Sequence, residues 1–429
     1  MRKYTNYVLR RPKGQLIILL YILFLLSMPN ELFNITAIWT IASPDEIIYK
    51  WGTFDVSWLF LPLIVIGLFY YFSRRGKMQT ALLLFIVTLV VKDVINFALG
   101  KTYMLERGTY EMYFLYVVAG CFLFIVFGIA QNEKDIFTFW EIFIWMTILM
   151  LFLAVLMGIT PGQYDYVNRY SATNLAHGET GMILGISVVY LLVKKDVPYR
   201  MVLFVLCIVG IIATGTRKDL LYIAVSVFMY PLICGLKGQK WHSRFPYVKR
   251  STVGLFLGGI VVLLFVGPYL VEHLNFDRVL DLFASILSKG EENSLRNDYS
   301  FIGRVESLLA GWEVVKGSPV LGINFSFYNL QYQMQCNGYP TFPHMTILFN
   351  WCIMGLLVLV PIVVVVKSTL KLLRKNNRFW IIGFYYCMYH TVSGGMWSSF
   401  KAVFFNFFII WFLVLQARKK SCIDVGQKN

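Results

Sequence analysis

Apolar blocks about as long as a bilayer is thick alternate with short polar connections along most of the chain. A helix needs about 20 mostly apolar residues to cross the hydrocarbon core. Blocks of that order fall at 15–34, 56–73, 79–99, 110–130, 138–158, 174–193, 199–213, 218–236, 252–271, 345–366, 379–397 and 400–416. They predict an all-α, polytopic integral membrane protein with about 12 transmembrane helices. The pattern breaks once: about 73 residues, 272–344, separate the ninth block from the tenth. A connection that long is functional more often than structureless, and it carries helical patterns of its own. In 276–288, Phe276, Val279, Leu280, Phe283 and Leu287 form a broad apolar face beside Asp277, Arg278 and Asp281, the pattern of a helix lying on a membrane surface. In 299–317, Phe301, Ile302, Val305, Leu308, Leu309, Trp312 and Val315 recur at helical spacing, with Arg304 at the flank of that face. The segment 289–294 reads as a turn, and 317–343 as irregular. The expected organisation is one integrated membrane domain. It comprises helices one to nine over 1–271, a long external loop with short helices over 272–344, and the last three helices with a cytoplasmic tail over 345–429.

Composition agrees with this pattern. The chain is 58% hydrophobic and 14% charged, with a mean hydropathy of +0.64, whereas soluble domains carry about 25% charged residues. The net charge of +16 raises the question of nucleic acid, but its placement answers it. With a cytoplasmic N-terminus, 26 of the 39 Lys and Arg residues fall in inside segments and 12 in outside ones, five of these in the long loop. Short loops alternate as the positive-inside rule requires. The basic balance therefore expresses topology, both termini are expected in the cytoplasm, and no nucleic-acid partner is expected. The first block has no small-residue cleavage site and reads as a retained helix. The seven cysteines are scattered without a CxxC pair, and only Cys336 falls clearly outside. Neither a disulfide framework nor a thiolate metal cluster is expected.

Residues able to do chemistry gather on the predicted outer side. Thr214-Gly215-Thr216-Arg217-Lys218 joins the seventh and eighth blocks. Arg217 and Lys218 break the charge trend there, and the neighbouring hydroxyls and backbone N–H groups suit a phosphate. The alternative is an arginine snorkelling to lipid headgroups. Arg304 supplies a second cation on the same side. His344 follows Pro343 at the expected first turn of the tenth block, where proline fits well. A helix N-terminus disfavours added positive charge, so His344 should stay neutral and able to accept a proton; the alternative is a satisfied interfacial histidine. His177 and Glu179 open the sixth block behind Asn174. Ionisable groups at such a position are functional candidates by default. A metal set of His177, Glu179 and His344 lacks dense ligand spacing, so no metal or other cofactor is expected. Upstream, Tyr164, Tyr166, Arg169 and Asn174 lie in an external stretch whose tyrosines and amides suit sugar rings, or equally interfacial anchoring. Lys92 and Asp93 are adjacent within the third block; about 100° apart on a helix, they should not pair with each other but each meet another helix. His390, His273 and His242 read as structural or solvated.

In their order and on their common outer side, these elements resemble the bacterial O-antigen polymerase and O-antigen ligase family of membrane glycosyltransferases. The likeness covers roughly 174–357 and rests on Asn174-Leu175-Ala176, Thr214-Gly215-Thr216-Arg217, Gly303-Arg304 followed by Trp312, Pro319-Val320-Leu321-Gly322, and Pro343-His344 followed by Gly355. Four positions depart from the family pattern. Thr216 and Lys218 flank Arg217 where Ser and Gly are usual, Met345 replaces an Asn, and Ile353 replaces an acidic residue. The resemblance implies metal-independent glycosyl transfer at the outer face of the bacterial cytoplasmic membrane. The donor and acceptor glycans would be linked to polyprenyl pyrophosphate. Arg217, Arg304 and His344 would be catalytic, and Arg169, Asn174, His177, Glu179, Lys218, Trp312, Tyr164 and Tyr166 would bind substrate. Membrane lipids, a chain-length regulator and a flippase are the implied partners. Polymerisation of repeat units for O-antigen, capsule or exopolysaccharide is the first reading, and ligation of glycan to another acceptor the second. A flippase or other transporter is the alternative of a different class; it predicts charges at mid-membrane and paired broken helices.

Overall fold

No backbone polar group in hydrocarbon can turn to water, so apolar blocks of this length must satisfy their own N–H and C=O groups by coiling into helices. The computed structural model describes residues 12–27, 60–73, 76–100, 107–130, 132–156, 170–172, 177–236, 299–339, 342–343, 345–392 and 400–419. Among them every regular element is helical. In chain order they are α1 (Lys13–Ser27), α2 (Leu61–Ser73), α3 (Lys77–Ala98), α4 (Arg107–Ile129), α5 (Glu133–Leu156), α6 (His177–Val193), α7 (Arg200–Ala213) and α8 (Arg217–Leu236). Then follow α9 (Tyr299–Gly317), α10 (Phe327–Cys336), α11 (Thr346–Met354), a 3-10 turn (Gly355–Val358), α12 (Leu359–Arg374), α13 (Trp380–Val392) and α14 (Phe400–Arg418). Among the described residues, five stretches are long and apolar enough to cross a membrane: Lys77–Ala98, Met112–Ile129, Glu133–Leu156, Thr346–Arg374 and Lys401–Arg418. The described residues are thus those of an all-helical membrane protein, and these five stretches are fewer than the twelve crossings expected. The predicted block 252–271 and surface helix 276–288 lie outside the described residues.

Packing is close where side chains are small and aromatic where they are large. α2 lies on α4 with Gly67 against Cys121; a Cβ at Gly67 would come within 2.5 Å of Cys121 Cβ. Such small-residue contacts let helix backbones approach where lipid supplies no hydrophobic drive between helices. α4 also packs on α14. Between α5, α6 and α14, Trp140 stacks on Tyr190 at 4.3 Å and meets Phe412 edge-on at 5.0 Å.

The region after α8 differs from its expected form in three ways. First, 317–343 is not all irregular: Ser326 caps α10, its Oγ accepting from Asn329 N–H. Leu330 and Met334, both buried and one turn apart, anchor α10. Second, the tenth block is broken. Gly355 takes φ 61 and ψ −143, a conformation open in practice only to glycine. Third, Val305 to Trp312 of the apolar stripe of α9 face away from the protein, and Val315 does not. Val305, Leu308, Leu309 and Trp312 are exposed, while Ser307, Ala310, Gly311, Val314 and Val315 pack inward. At Gly311 an added Cβ would lie 2.8 Å from Pro343 Cγ and 2.9 Å from Leu348 Cδ2, so the small face is what lets α9 dock beside α11. The register of α9 sets position 304 at the border between the two stripes.

Candidate functional site

The break at Gly355 frees backbone groups at membrane depth, and each must find a partner in protein. The segment 319–325 supplies several. Leu356 N–H donates to Val320 O at 2.8 Å and Ile323 N–H to Cys352 O at 2.7 Å. Gly322, with φ 67, allows the approach; a Cβ there would sit 2.6 Å from Gly355 N and 2.7 Å from Cys352 O. Two of the family-like elements, Pro319–Gly322 and Gly355, are therefore two sides of one backbone contact. Trp351 Nε1 adds a bond to Pro319 O at 2.9 Å.

α3 locks this contact. Lys92 Nζ donates to Ile323 O at 2.6 Å and to Ile353 O at 2.5 Å. Asp93 accepts from Phe325 N–H at 3.1 Å and from Tyr113 OH at 2.6 Å. Asn96 Nδ2 donates to Gly322 O at 3.2 Å. The expectation that Lys92 and Asp93 meet partners on other elements holds. The expectation that they cannot pair does not: Lys92 Nζ lies 2.7 Å from Asp93 Oδ1, with both side chains 3% exposed. Both groups reach the same loop, and the four-carbon lysine stem spans the 100° offset that separates their Cα–Cβ directions.

A second polar cluster forms where α6, α8 and α14 begin and α13 ends. Thr214 Oγ1 donates to Ile211 O at 2.7 Å and lies 2.6 Å from Thr216 Oγ1. Both threonines are buried, and Thr216 and Asp219 are the side chains that a Cβ on Gly181 of α6 would meet. These hydroxyls bond and pack inside the bundle. The N–H groups of Thr214 and Gly215 close the end of α7 on Gly210 O and Ile212 O. Asp219, wholly buried in the first turn of α8, accepts from Tyr385 OH at 2.9 Å. Lys218 Nζ stands 4.7 Å from the centre of the Tyr389 ring, a cation–π distance. Tyr389 OH in turn donates to Gly178 O at 3.0 Å. Glu179, buried in the first turn of α6, interacts electrostatically with Lys401, buried at the start of α14. Ala172 N–H donates to Thr180 Oγ1 at 3.2 Å and Tyr170 N–H to Ala213 O at 3.1 Å, which ties the preceding segment to the same end.

These bonds fix the helix ends that carry the predicted residues. Arg217 is the first residue of α8, His177 the first of α6, and Arg304 lies in the second turn of α9; only their backbone is described. α9 packs on α11, α11 on α13, and α13 on α8. Arg304 and Arg217 thus stand on helices joined through α11 and α13. α11 starts at Thr346 behind an extended Met345, so Pro343 precedes the helix and does not occupy its first turn as expected. His344, Tyr164, Tyr166, Arg169 and Asn174 lie outside the described residues. Trp312 is 43% exposed and meets Trp351 edge-on at 5.9 Å.

Sequence reading missed Asp219, Lys401, Tyr385 and Tyr389. Thr216-x-x-Asp219 has the spacing of a capping box, and Lys401 is a lone cation opening the last block; neither identifies its partner. His390, read as structural, lies 3.0 Å from Asn406 Oδ1 and 4.1 Å, ring centre to ring centre, from Tyr386. Among the described residues no group of three His, Cys, Asp or Glu side chains is arranged to hold a metal ion. Comparison with known proteins finds no family model and no curated protein that matches the chain.

Proposed function

We propose that the chain is a membrane glycosyltransferase that polymerises oligosaccharide repeat units carried on polyprenyl pyrophosphate, at the outer face of the bacterial cytoplasmic membrane. The observation that carries the reading is the gathering of helix starts: the ends bearing Arg217, His177 and Glu179 meet at one polar cluster, and α9, bearing Arg304, reaches it through α11 and α13. In the reaction, the hydroxyl of an acceptor sugar attacks the anomeric carbon of the donor glycan. The bond from that carbon to the pyrophosphate oxygen breaks, and the lipid pyrophosphate leaves with the electron pair. Negative charge grows on the leaving group, so fixed cations stabilise the transition state more than the ground state. Arg217 and Arg304 fill that role, because a guanidinium grips phosphate oxygens in pairs. His344 takes the proton of the attacking hydroxyl. Glu179, whose charge interacts with that of Lys401, and Lys218, held over Tyr389, set the electrostatics of the surroundings.

The fate of Lys92 and Asp93 supports an enzyme over a carrier. A carrier keeps its intramembrane charges for cargo and opens its broken helices onto a cavity. Here both charges bond to the chain itself, and the break at Gly355 is filled by 319–325. The deciding experiment gives the purified protein lipid-linked repeat units and resolves products on a gel. A ladder of multiples is expected. Unchanged single repeats would refute the polymerase reading, and transfer of one block to a different acceptor would make the chain a ligase.

A further inference from the structure

One side of α12 is exposed along the whole helix. In the first half that side carries Leu359, Val360, Val363 and Val366, and in the second half Lys367, Leu370, Lys371 and Arg374. The opposite side, Val365, Ser368 and Leu372, is buried. At 3.6 residues per turn both exposed sets fall in one arc. The helix therefore keeps the same side outward and changes its chemistry from apolar to basic. Such a change marks the passage of a membrane helix from hydrocarbon into the head-group layer. There, long basic side chains lay their stems on apolar surface and carry their charge to the interface.

Lys367, Lys371 and Arg374 follow one another at i, i+4 and i+7, a ridge about 10 Å long at 1.5 Å rise per residue. Like charges at that spacing oppose each other, and the chain does not neutralise them. The sequence has no Asp or Glu between Glu313 and Asp424. Among the described residues, none of the three cations has an ion-pair partner. The acidic groups at neighbouring helix ends are engaged elsewhere. Glu133 pairs with Lys419 and accepts from Gln416, Asp135 accepts from Asn132 N–H, and Asp196 pairs with Lys194. Lys375 gives the contrast: it turns inward and donates to Ala417 O at 3.0 Å and to Lys419 O. The helix dipole favours cations in the last turn, which accounts for Lys371 and Arg374 but not for Lys367 behind them.

We propose that the ridge of Lys367, Lys371 and Arg374 binds the phosphate head group of an anionic phospholipid, whose acyl chains lie along Val360 and Val363. Charge selects the head group, and the apolar half of the same arc selects a lipid over a free phosphate. The site is independent of glycosyl transfer and holds whether or not the chain performs it.

Native mass spectrometry of the purified full-length protein tests this without an activity assay. The protein, in detergent with equal phosphatidylglycerol and phosphatidylcholine, should retain phosphatidylglycerol in preference. Each basic residue near an anionic surface strengthens attachment about fivefold. Lys367→Gln/Lys371→Gln should therefore lower that preference about tenfold or more. Glutamine is a good helix former, so the melting midpoint in phosphatidylcholine alone should not fall. Lys13→Gln/Lys77→Gln removes the same charge from exposed positions on α1 and α3 and should leave the preference near that of wild type. An unchanged preference in the ridge variant, or an equal loss in both variants, overturns the proposal. Displacement of the lipid by soluble glycerol phosphate also overturns it, because the head group alone would then suffice. So does a change of oligomeric mass in the ridge variant with lipid retention intact, which would assign the ridge to a contact between copies.

Discussion

Lys92 and Asp93 on α3, and Lys218, Asp219, Glu179 and Lys401 at the meeting of α6, α8, α13 and α14, are both sets of charge in an apolar bundle. They differ in what the charges touch. On α3 the charges bond to backbone of the opposing segment, to a tyrosine and to each other. They repair a broken helix. At the other site the partners are aromatic rings, hydroxyls and opposite charges on separate helices, next to helix starts that carry Arg217 and His177. An intramembrane charge is a functional candidate by default, but its bonding partners decide whether it holds the chain together or is left to act on something else.

That contrast breaks or sharpens under substitution. The largest effect is expected at His344. His344→Ala and His344→Gln should both slow glycan elongation about 10²–10⁴-fold, the usual range for a general base, with the melting midpoint unchanged. Normal ladders from the Gln variant would leave His344 only a positioning role and turn attention to His177 and Glu179. On the structural side, Lys92→Met leaves a carboxylate and two carbonyls buried without their donor. Breaking a buried pair costs about 3–5 kcal/mol, so membrane yield and melting midpoint should fall while activity per folded molecule persists. A variant as stable as wild type would show that the clamp does not hold 319–325. Arg217→Lys and Arg304→Lys keep charge but lose the paired geometry. Each should lower elongation about 10²–10³-fold, by analogy with removal of one donor from an oxyanion site, at wild-type protein levels; full activity in both would exclude the pyrophosphate clamp. The smallest effect is expected at Tyr389. Tyr389→Phe loses the bond to Gly178 O, worth about 0.5–1.5 kcal/mol, and keeps the ring under Lys218. It should shift the melting midpoint slightly, and an activity loss matching Arg217→Lys would instead place Tyr389 against substrate.

Local physics was legible in the sequence. Apolar length predicts helices at every block whose residues are described, because a bilayer admits no other way to satisfy an isolated strip of backbone. The repeat over 299–317 marks α9 with the bounds it has in the structure, Tyr299–Gly317. Short motifs marked Thr214–Lys218, Pro319–Gly322 and Gly355 as unusual. Other features exist only once helices meet. The inward side of α9 is its small-residue stripe, since close backbone approach at Gly311 outweighs a greasy face that lipid covers equally well. The break at Gly355 depends on a loop more than 30 residues upstream to take its hydrogen bonds. Glu179 and Lys401, whose charges interact, stand more than 200 residues apart in the sequence. Sequence periodicity reports which face of a helix is apolar. Which buried charge finds which partner depends on distances between helices, and only the tertiary structure decides those.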